Sequence, residues 1–246
     1  NPELEPFTAD NFDIGIEWYP RSRTVLTFNA WWKKIYNYPY VLRTQRPFSS
    51  LGINFARLTD RQRAGINAAG GPDNALLQVQ QRDNSDLVIN LAGQEFQWMQ
   101  PLDFLLKGAG FNVNVTHIAQ SLTGERPPNS NANALLAGLA PWTYNATAYY
   151  ETKWFQLRFS YVHRDENLNR VCPCDNVPGD LYTIATDYLD AQLSFPLPFY
   201  RQASLTLQAQ NLLKQVSLTR FDKQEARPYN GQYAGRNFVV GLRANF

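Results

Sequence analysis

The sequence is short of the residues that enzymes and metalloproteins display. It holds one Met, two Cys and two His in 246 residues. Structural zinc takes four ligands, which this supply cannot arrange in any familiar spacing. Charged residues make up 18% of the chain, below the quarter or so of an ordinary soluble domain. The net charge is only +2, which gives no reason to expect nucleic-acid binding. No run approaches the roughly 18 apolar residues of a membrane-spanning helix. The chain opens on Asn1-Pro2-Glu3-Leu4 without a secretory leader, so an exported protein of this sequence is expected to be a processed or partial chain. No spacing of carboxylates selects a pair for acid–base work, and His117 and His163 stand far apart. No catalytic site, metal site or cofactor is expected.

What is present is aromatic side chains, 14% of the chain, and a pattern of period two. Phe12, Ile14, Ile16 and Trp18 alternate with Asp13, Gly15 and Glu17. Leu26, Phe28, Ala30 and Trp32 alternate with Thr27, Asn29 and Lys33, Trp31 being the apolar exception. The same alternation runs through Phe111–Thr116, Tyr144–Ala148, Phe155–Tyr161, Leu189–Phe195, Ala203–Gln210 and Asn237–Phe246. Successive side chains of a strand point to opposite faces, so each segment has one apolar and one polar face. A ninth strand is expected from about Asp86 to Met99. Its apolar phase changes between Leu87-Ile89-Leu91 and Phe96-Trp98, which a bulge around Gly93 would reconcile.

Short and long connections alternate between these nine strands. Pro20–Ser22, Glu151–Lys153 and Pro196–Tyr200 are short, and Gln100–Ala109 is medium. Asn37–Ser85, Thr123–Pro141, Asp165–Asp180 and Leu213–Gly235 are long. Outer-membrane barrels have this asymmetry, with short periplasmic turns and long extracellular loops. Counting back from a last strand that descends to the periplasm puts every short turn there and every long loop outside. Leu58–Ala69 is expected to form a short helix within its loop. Aromatic residues gather near strand ends (Trp18, Tyr36, Trp98, Trp142, Tyr149, Trp154 and Tyr188 among them), as amphipathic rings do at a membrane interface. The fold class expected is all-β, a transmembrane antiparallel β-barrel. Asp13, Glu17, Lys33, Arg158, Asp190 and Arg243 fall on polar faces and are expected to line a hydrated lumen or contact whatever fills it.

Four segments carry a resemblance. Asn1–Tyr19 (NPELEPFTADNFDIGIEWY) resembles the "NPxLxPExSxNxxxGxEWY" segment of TonB-dependent transporters. Gly93-Gln94-Glu95-Phe96 is similar to the family's "GxEx" strand. Asn211-Leu212-Leu213 is similar to the "NLxN" that ends the penultimate strand, with Lys214 in place of the usual Asn. Gly235–Phe246 is similar to the "GRxxxxGxxxxF" ending. Phe238, Val240, Leu242, Ala244 and Phe246 also resemble the C-terminal assembly signal of outer-membrane proteins. The resemblance implies a barrel of 22 strands filled by a plug, of which residues 1–246 would be the C-terminal nine strands. It implies import of a siderophore, metal complex or oligosaccharide, with the rest of the barrel, the plug, the TonB complex and lipopolysaccharide as partners. An odd count of strands is unusual for a single-chain bacterial barrel, which again points to strands outside this sequence. A small self-contained barrel (pore or adhesin) and a soluble carbohydrate-binding β-sandwich are the alternatives.

Two further features stay open at this stage. Cys172-Pro173-Cys174 lies in an expected external loop, where an oxidising compartment favours a local disulfide between Cys172 and Cys174, although one intervening residue strains it. Pairing with another chain, metal binding and free thiols are the other readings. Arg43, Arg46, Arg57, Arg61, Arg63 and Arg82 crowd the loop Asn37–Ser85 and suit an anionic ligand, lipopolysaccharide phosphate or plain solvation.

Overall fold

In a computed structural model, the structure describes residues 1–124, 136–170, 179–197 and 200–244. Cys172, Cys174 and Phe246 lie outside them. The elements, in chain order, are β1 (Thr8–Trp18), β2 (Val25–Tyr36), β3 (Pro39–Pro47), α1 (Asp60–Ala68), β4 (Leu76–Asn84), β5 (Val88–Pro101), β6 (Ala109–Thr123), β7 (Trp142–Glu151) and β8 (Gln156–Arg164). There follow β9 (Asn167–Arg170), β10 (Leu181–Thr183), β11 (Thr186–Leu197), β12 (Tyr200–Gln210), β13 (Val216–Phe221), β14 (Pro228–Tyr233) and β15 (Asn237–Ala244). No helix among the described residues is long and apolar enough to cross a membrane.

The chain divides into two compact units, residues 1–9, 35–89 and 122–133, and residues 10–34, 90–121 and 134–246. The first holds the antiparallel hairpin of β3 and β4, paired from Pro39↔Asn84 to Pro47↔Leu76. Between these strands lie two 3-10 turns, Phe48–Leu51 and Phe55–Arg57, and then α1. α1 starts where the sequence places a helix, and a capping box sets its first turn: Thr59 accepts from the Gln62 amide while Gln62 accepts from the Thr59 amide. Phe48, Ile66 and Ala75 are buried together, with Leu51, Phe55 and Leu58 packed on them. Asn84 ties the N-terminal segment to the hairpin base. Its Oδ1 accepts from the Glu5 amide at 2.7 Å, and its Nδ2 donates to the carbonyls of Glu5 and Asn37 at 2.9 and 2.8 Å.

The second unit holds most of a nine-stranded sheet in the order β1-β2-β5-β6-β7-β8-β11-β12-β15. These are the nine strands expected from the alternation, each next to its sequential partner once the loop strands are set aside. Register fixes the faces. Phe111↔Ala148, Ala148↔Phe159, Phe159↔Ala191, Ala191↔Ala209 and Ala209↔Phe238 form one cross-strand row of the apolar face. The adjacent residues, Asn112↔Thr147, Thr147↔Ser160, Ser160↔Asp190 and Gln192↔Gln208, form the polar face. On β1 the apolar stripe Phe12, Ile14, Ile16 and Trp18 is at least 57% exposed throughout. In water that stripe would cost folding free energy; against lipid it is the solvated side.

Two expectations are corrected. Burial alternates without interruption through Gly93: Leu91, Gly93, Glu95 and Gln97 are the more buried set, while Ala92, Gln94, Phe96 and Trp98 are exposed. The two apolar runs therefore occupy opposite faces and no phase shift is needed. The inward apolar run is matched by Trp31, whose ring atoms would lie 2.2 Å from any Cβ at Gly93 and whose Nε1 points to Glu95 Oε1 at 3.4 Å. Tyr149 and Tyr188 also leave the interface set. They stand opposite Arg158 and Val162, in phase with the polar face. The long connections carry further strands. Besides the β3–β4 hairpin, β9, β10, β13 and β14 form a sheet of their own in the order β14-β13-β10-β9.

Candidate functional site

The polar wall is the first component. Its chemistry follows from the strand phase: wherever the apolar set faces out, the intervening Ser, Thr, Asn, Gln and charged residues converge on the other side. Arg158, Ser160, Asp190, Gln192, Gln208 and Gln210 line a depression of about 240 Å³ on β8, β11 and β12. Gln208 Nε2 donates to Gln192 Oε1 at 3.3 Å, and the Ser194 and Thr206 hydroxyls lie 3.0 Å apart. Arg158 approaches Glu151 at 3.9 Å, and Arg243 stands opposite Ser204. Of the charges expected on polar faces, Arg158, Asp190 and Arg243 are thus brought onto one wall, separated by amides and hydroxyls. Nothing in their geometry makes an acid–base pair.

At the short-turn end, side chains brace the connections β1–β2, β5–β6 and β7–β8. Asp103 Oδ1 accepts from the Gly108 amide at 2.8 Å, and its Oδ2 meets Arg23 Nη2 at 2.5 Å, joining two turns. These contacts hold the Asp103 carboxyl below the usual carboxylate range, the Gly108 amide being the larger cause. Thr152 Oγ1 accepts from the amides of Trp154 and Phe155 at 3.1 and 3.0 Å, closing the turn between β7 and β8.

The opposite end carries the loop-built sheet. The connection from β8 to β11 contributes β9 and β10, and the connection from β12 to β15 contributes β13 and β14. Antiparallel pairing of β10 with β13 (Leu181↔Phe221, Thr183↔Thr219) joins them, and Leu181 and Phe221 form a buried pair. The ion pair Arg220–Glu166, at 2.7 Å with both side chains about four-fifths buried, crosses the same seam, with Lys223 at 3.4 Å from Glu166. The foot of the second loop is held by Asn211, which is 5% exposed and adopts a left-handed φ of 53°. Its Nδ2 donates to the carbonyls of Gln215 and Gly235 at 3.1 and 2.8 Å, its Oδ1 accepts from the Gln215 amide at 2.7 Å, and its own amide donates to Asp190 Oδ1 at 2.8 Å.

Of the other residues singled out in the sequence, the histidines are closer in space than in sequence. His117 and Trp142 have ring centroids 4.2 Å apart, Trp142 and Tyr144 5.8 Å, and Tyr144 and His163 5.2 Å, all on the apolar face. His163 Nδ1 lies 2.8 Å from Asp187 and Nε2 lies 3.1 Å from Asp165, so both ring nitrogens are occupied. Among the described residues there is no group of three or more ligands placed to hold a metal ion. The six arginines of the long loop are not one patch. Register puts Arg43 and Arg82 on one face of the β3–β4 hairpin and Arg46 on the other, while Arg61 and Arg63 ride on α1. Phe238, Val240 and Leu242 are 73%, 69% and 69% exposed on β15, in phase with Ala244. The Asn211 hub and the Asn84 clamp escaped sequence reasoning, since an Asn signals a turn without saying what it ties together.

No curated protein and no solved structure matches the chain. The family model described as TonB dependent receptor-like, beta-barrel matches residues 1–212, most of the sequence. With an antiparallel two-faced sheet, an exposed apolar stripe and an elaborated loop end, the chain belongs to the TonB-dependent receptor β-barrel family, outer-membrane proteins that serve TonB-dependent transport.

Proposed function

We propose that this chain is the C-terminal wall and external loop set of an active importer for a scarce or bulky nutrient, a siderophore, metal complex or oligosaccharide. The observation that carries the reading is the pair of sheet edges. β1 and β15 each have one sheet neighbour among the described residues, and β1 is exposed along its whole length. An open edge in lipid leaves backbone N–H and C=O groups unsatisfied, at a cost of several kcal/mol each. Further strands must therefore complete the ring, and a ring of 22 strands has room for a plug. The polar wall then faces that plug, the loop-built sheet faces the outside, and the apolar rows face lipid and lipopolysaccharide. The partners are the remaining strands, the plug and, through the plug, the TonB complex of the inner membrane.

The test is run on native outer membranes by gel electrophoresis with and without boiling, followed by mass spectrometry of the heat-modifiable band. Peptides from a plug and further strands co-migrating with this chain are expected. Migration of this chain alone as a small heat-modifiable species would replace the importer reading with that of a self-contained barrel. Substrate uptake by intact cells is expected to stop when a protonophore collapses the inner-membrane gradient.

A further inference from the structure

The loop-built sheet has two chemically different faces. On one, Arg220 meets Glu166, and Lys223 lies over the Tyr182 ring at 4.8 Å. The other face is uncharged along its central rows. Thr183 stands opposite Thr219, and Thr219 opposite Asn230. On the fourth strand Asn167 stands opposite Thr183 and continues this row, and the nearby Asn169 donates its Nδ2 to Thr183 Oγ1 at 3.1 Å. The next row pairs Ser217 with Gln232. Tyr229 borders the rows: its ring packs edge-on to Phe221 at 5.5 Å and the residue is 54% exposed. At this end the bordering charges are Arg227 and Asp222, paired at 2.9 Å, and Arg170, which stands opposite Leu181. Asn169, Asn230 and Gln232 are exposed.

We propose that this face is the capture site for an uncharged, polyhydroxylated ligand, a neutral oligosaccharide, and so names the substrate class of the importer proposed above, on which it rests. Amides and hydroxyls each donate and accept, as the vicinal hydroxyls of a sugar do, and each such bond replaces one to water without leaving a charge desolvated. The exposed ring of Tyr229 supplies the flat apolar surface on which the C–H face of a sugar rests. With strands about 4.8 Å apart, the row of four spans roughly 14 Å, the reach of a short oligosaccharide. The side chains of the two rows, Asn167-Thr183-Thr219-Asn230 and Ser217-Gln232, are all uncharged, so along them an anionic ligand would find no charge-assisted bond.

The test uses the outer-membrane protein that contains this chain, purified in detergent and run in native affinity gels cast with dextran, xylan, mannan or β-glucan, and with polygalacturonate as the anionic comparator. At least one neutral polysaccharide is expected to retard the protein, and polygalacturonate is not. Tyr229→Ala and Asn230→Asp are each expected to weaken that retention at least tenfold. Should Tyr229→Ala lose heat-modifiable migration, the exposed and nearly isosteric Asn230→Asp decides alone. Retardation by no neutral polysaccharide, equal retardation by polygalacturonate, or wild-type retention in Asn230→Asp overturns the proposal. Binding in detergent needs no energised membrane, so the two readings fail separately. Retention lost in the variants together with protonophore-insensitive uptake supports the face and overturns the importer. Energised uptake with no neutral-glycan binding overturns the face alone.

Discussion

At the scale of single residues, the loop foot at Asn211 shows how a short motif acts. Asn tolerates the left-handed region that most side chains avoid, and here its amide also satisfies three backbone groups. Asn211→Ala removes those bonds in a buried place and keeps the awkward backbone, so a loss of about 2–4 kcal/mol is expected in urea unfolding from lipid or detergent. Three residues on, Lys214 stands where the resembling motif has Asn, and its φ is 58°. Lys214 is exposed, and Asn adopts this backbone region with less strain. Lys214→Asn is expected to stabilise by roughly 0.5–1 kcal/mol in the same measurement, and a loss instead would show that the Lys side chain has a partner. Gly93 makes the opposite point. Gly93→Ala drives a Cβ into the Trp31 ring, and overpacking of about 1–3 kcal/mol should appear together with a changed Trp fluorescence maximum.

Single elements test orientation. Leu207 and Val240 face each other on β12 and β15, while Gln208 points the other way, toward Gln192. Leu207→Arg is expected to cost roughly 2–4 kcal/mol if the residue lies near the bilayer midplane, with Gln208→Arg much milder. Equal costs at the two positions would remove the assignment of faces. The turn from β5 to β6 titrates. Because the folded Asp103 carboxyl is held low, its contribution is complete above the ordinary carboxylate range and is lost as pH falls through the depressed value. A lower protection factor at the Gly108 amide, taken against its intrinsic exchange rate, is expected below about pH 4, and Asp103→Asn should abolish that change in protection.

The long strands were legible at this scale because each repeats one apolar and one polar residue many times over. The loop strands were not. β3 and β4 read Pro39-Tyr40-Val41-Leu42-Arg43 and Leu76-Leu77-Gln78-Val79-Gln80, with no sustained alternation and with prolines at both ends of β3. β9 and β10 are four and three residues long, too short for a period to show, and they owe their existence to β13, which lies far along the chain. Gly93 misled for a related reason: its neighbour Trp31 belongs to another strand, and only the register shows that an inward apolar residue is needed there. The charges of the polar wall were correctly placed on their face, yet their spacing by Gln192 and Gln208 emerged only when β11 and β12 were laid side by side.

Across the whole molecule, the two loops of the external sheet share a seam of backbone pairing, a buried Leu181–Phe221 contact and the Arg220–Glu166 bridge. Neither loop completes that seam by itself. Inheritance is therefore constrained: the two segments are one module written in two places, and β11 and β12 lie between them in the sequence. A chimera that receives 165–185 alone from a relative leaves Arg220 facing the wrong partner, and one that receives 213–235 alone strands Glu166. Exchanging both together should restore cell-surface display where either single graft fails. Drift in one segment would be tolerated only at the pace at which the other follows.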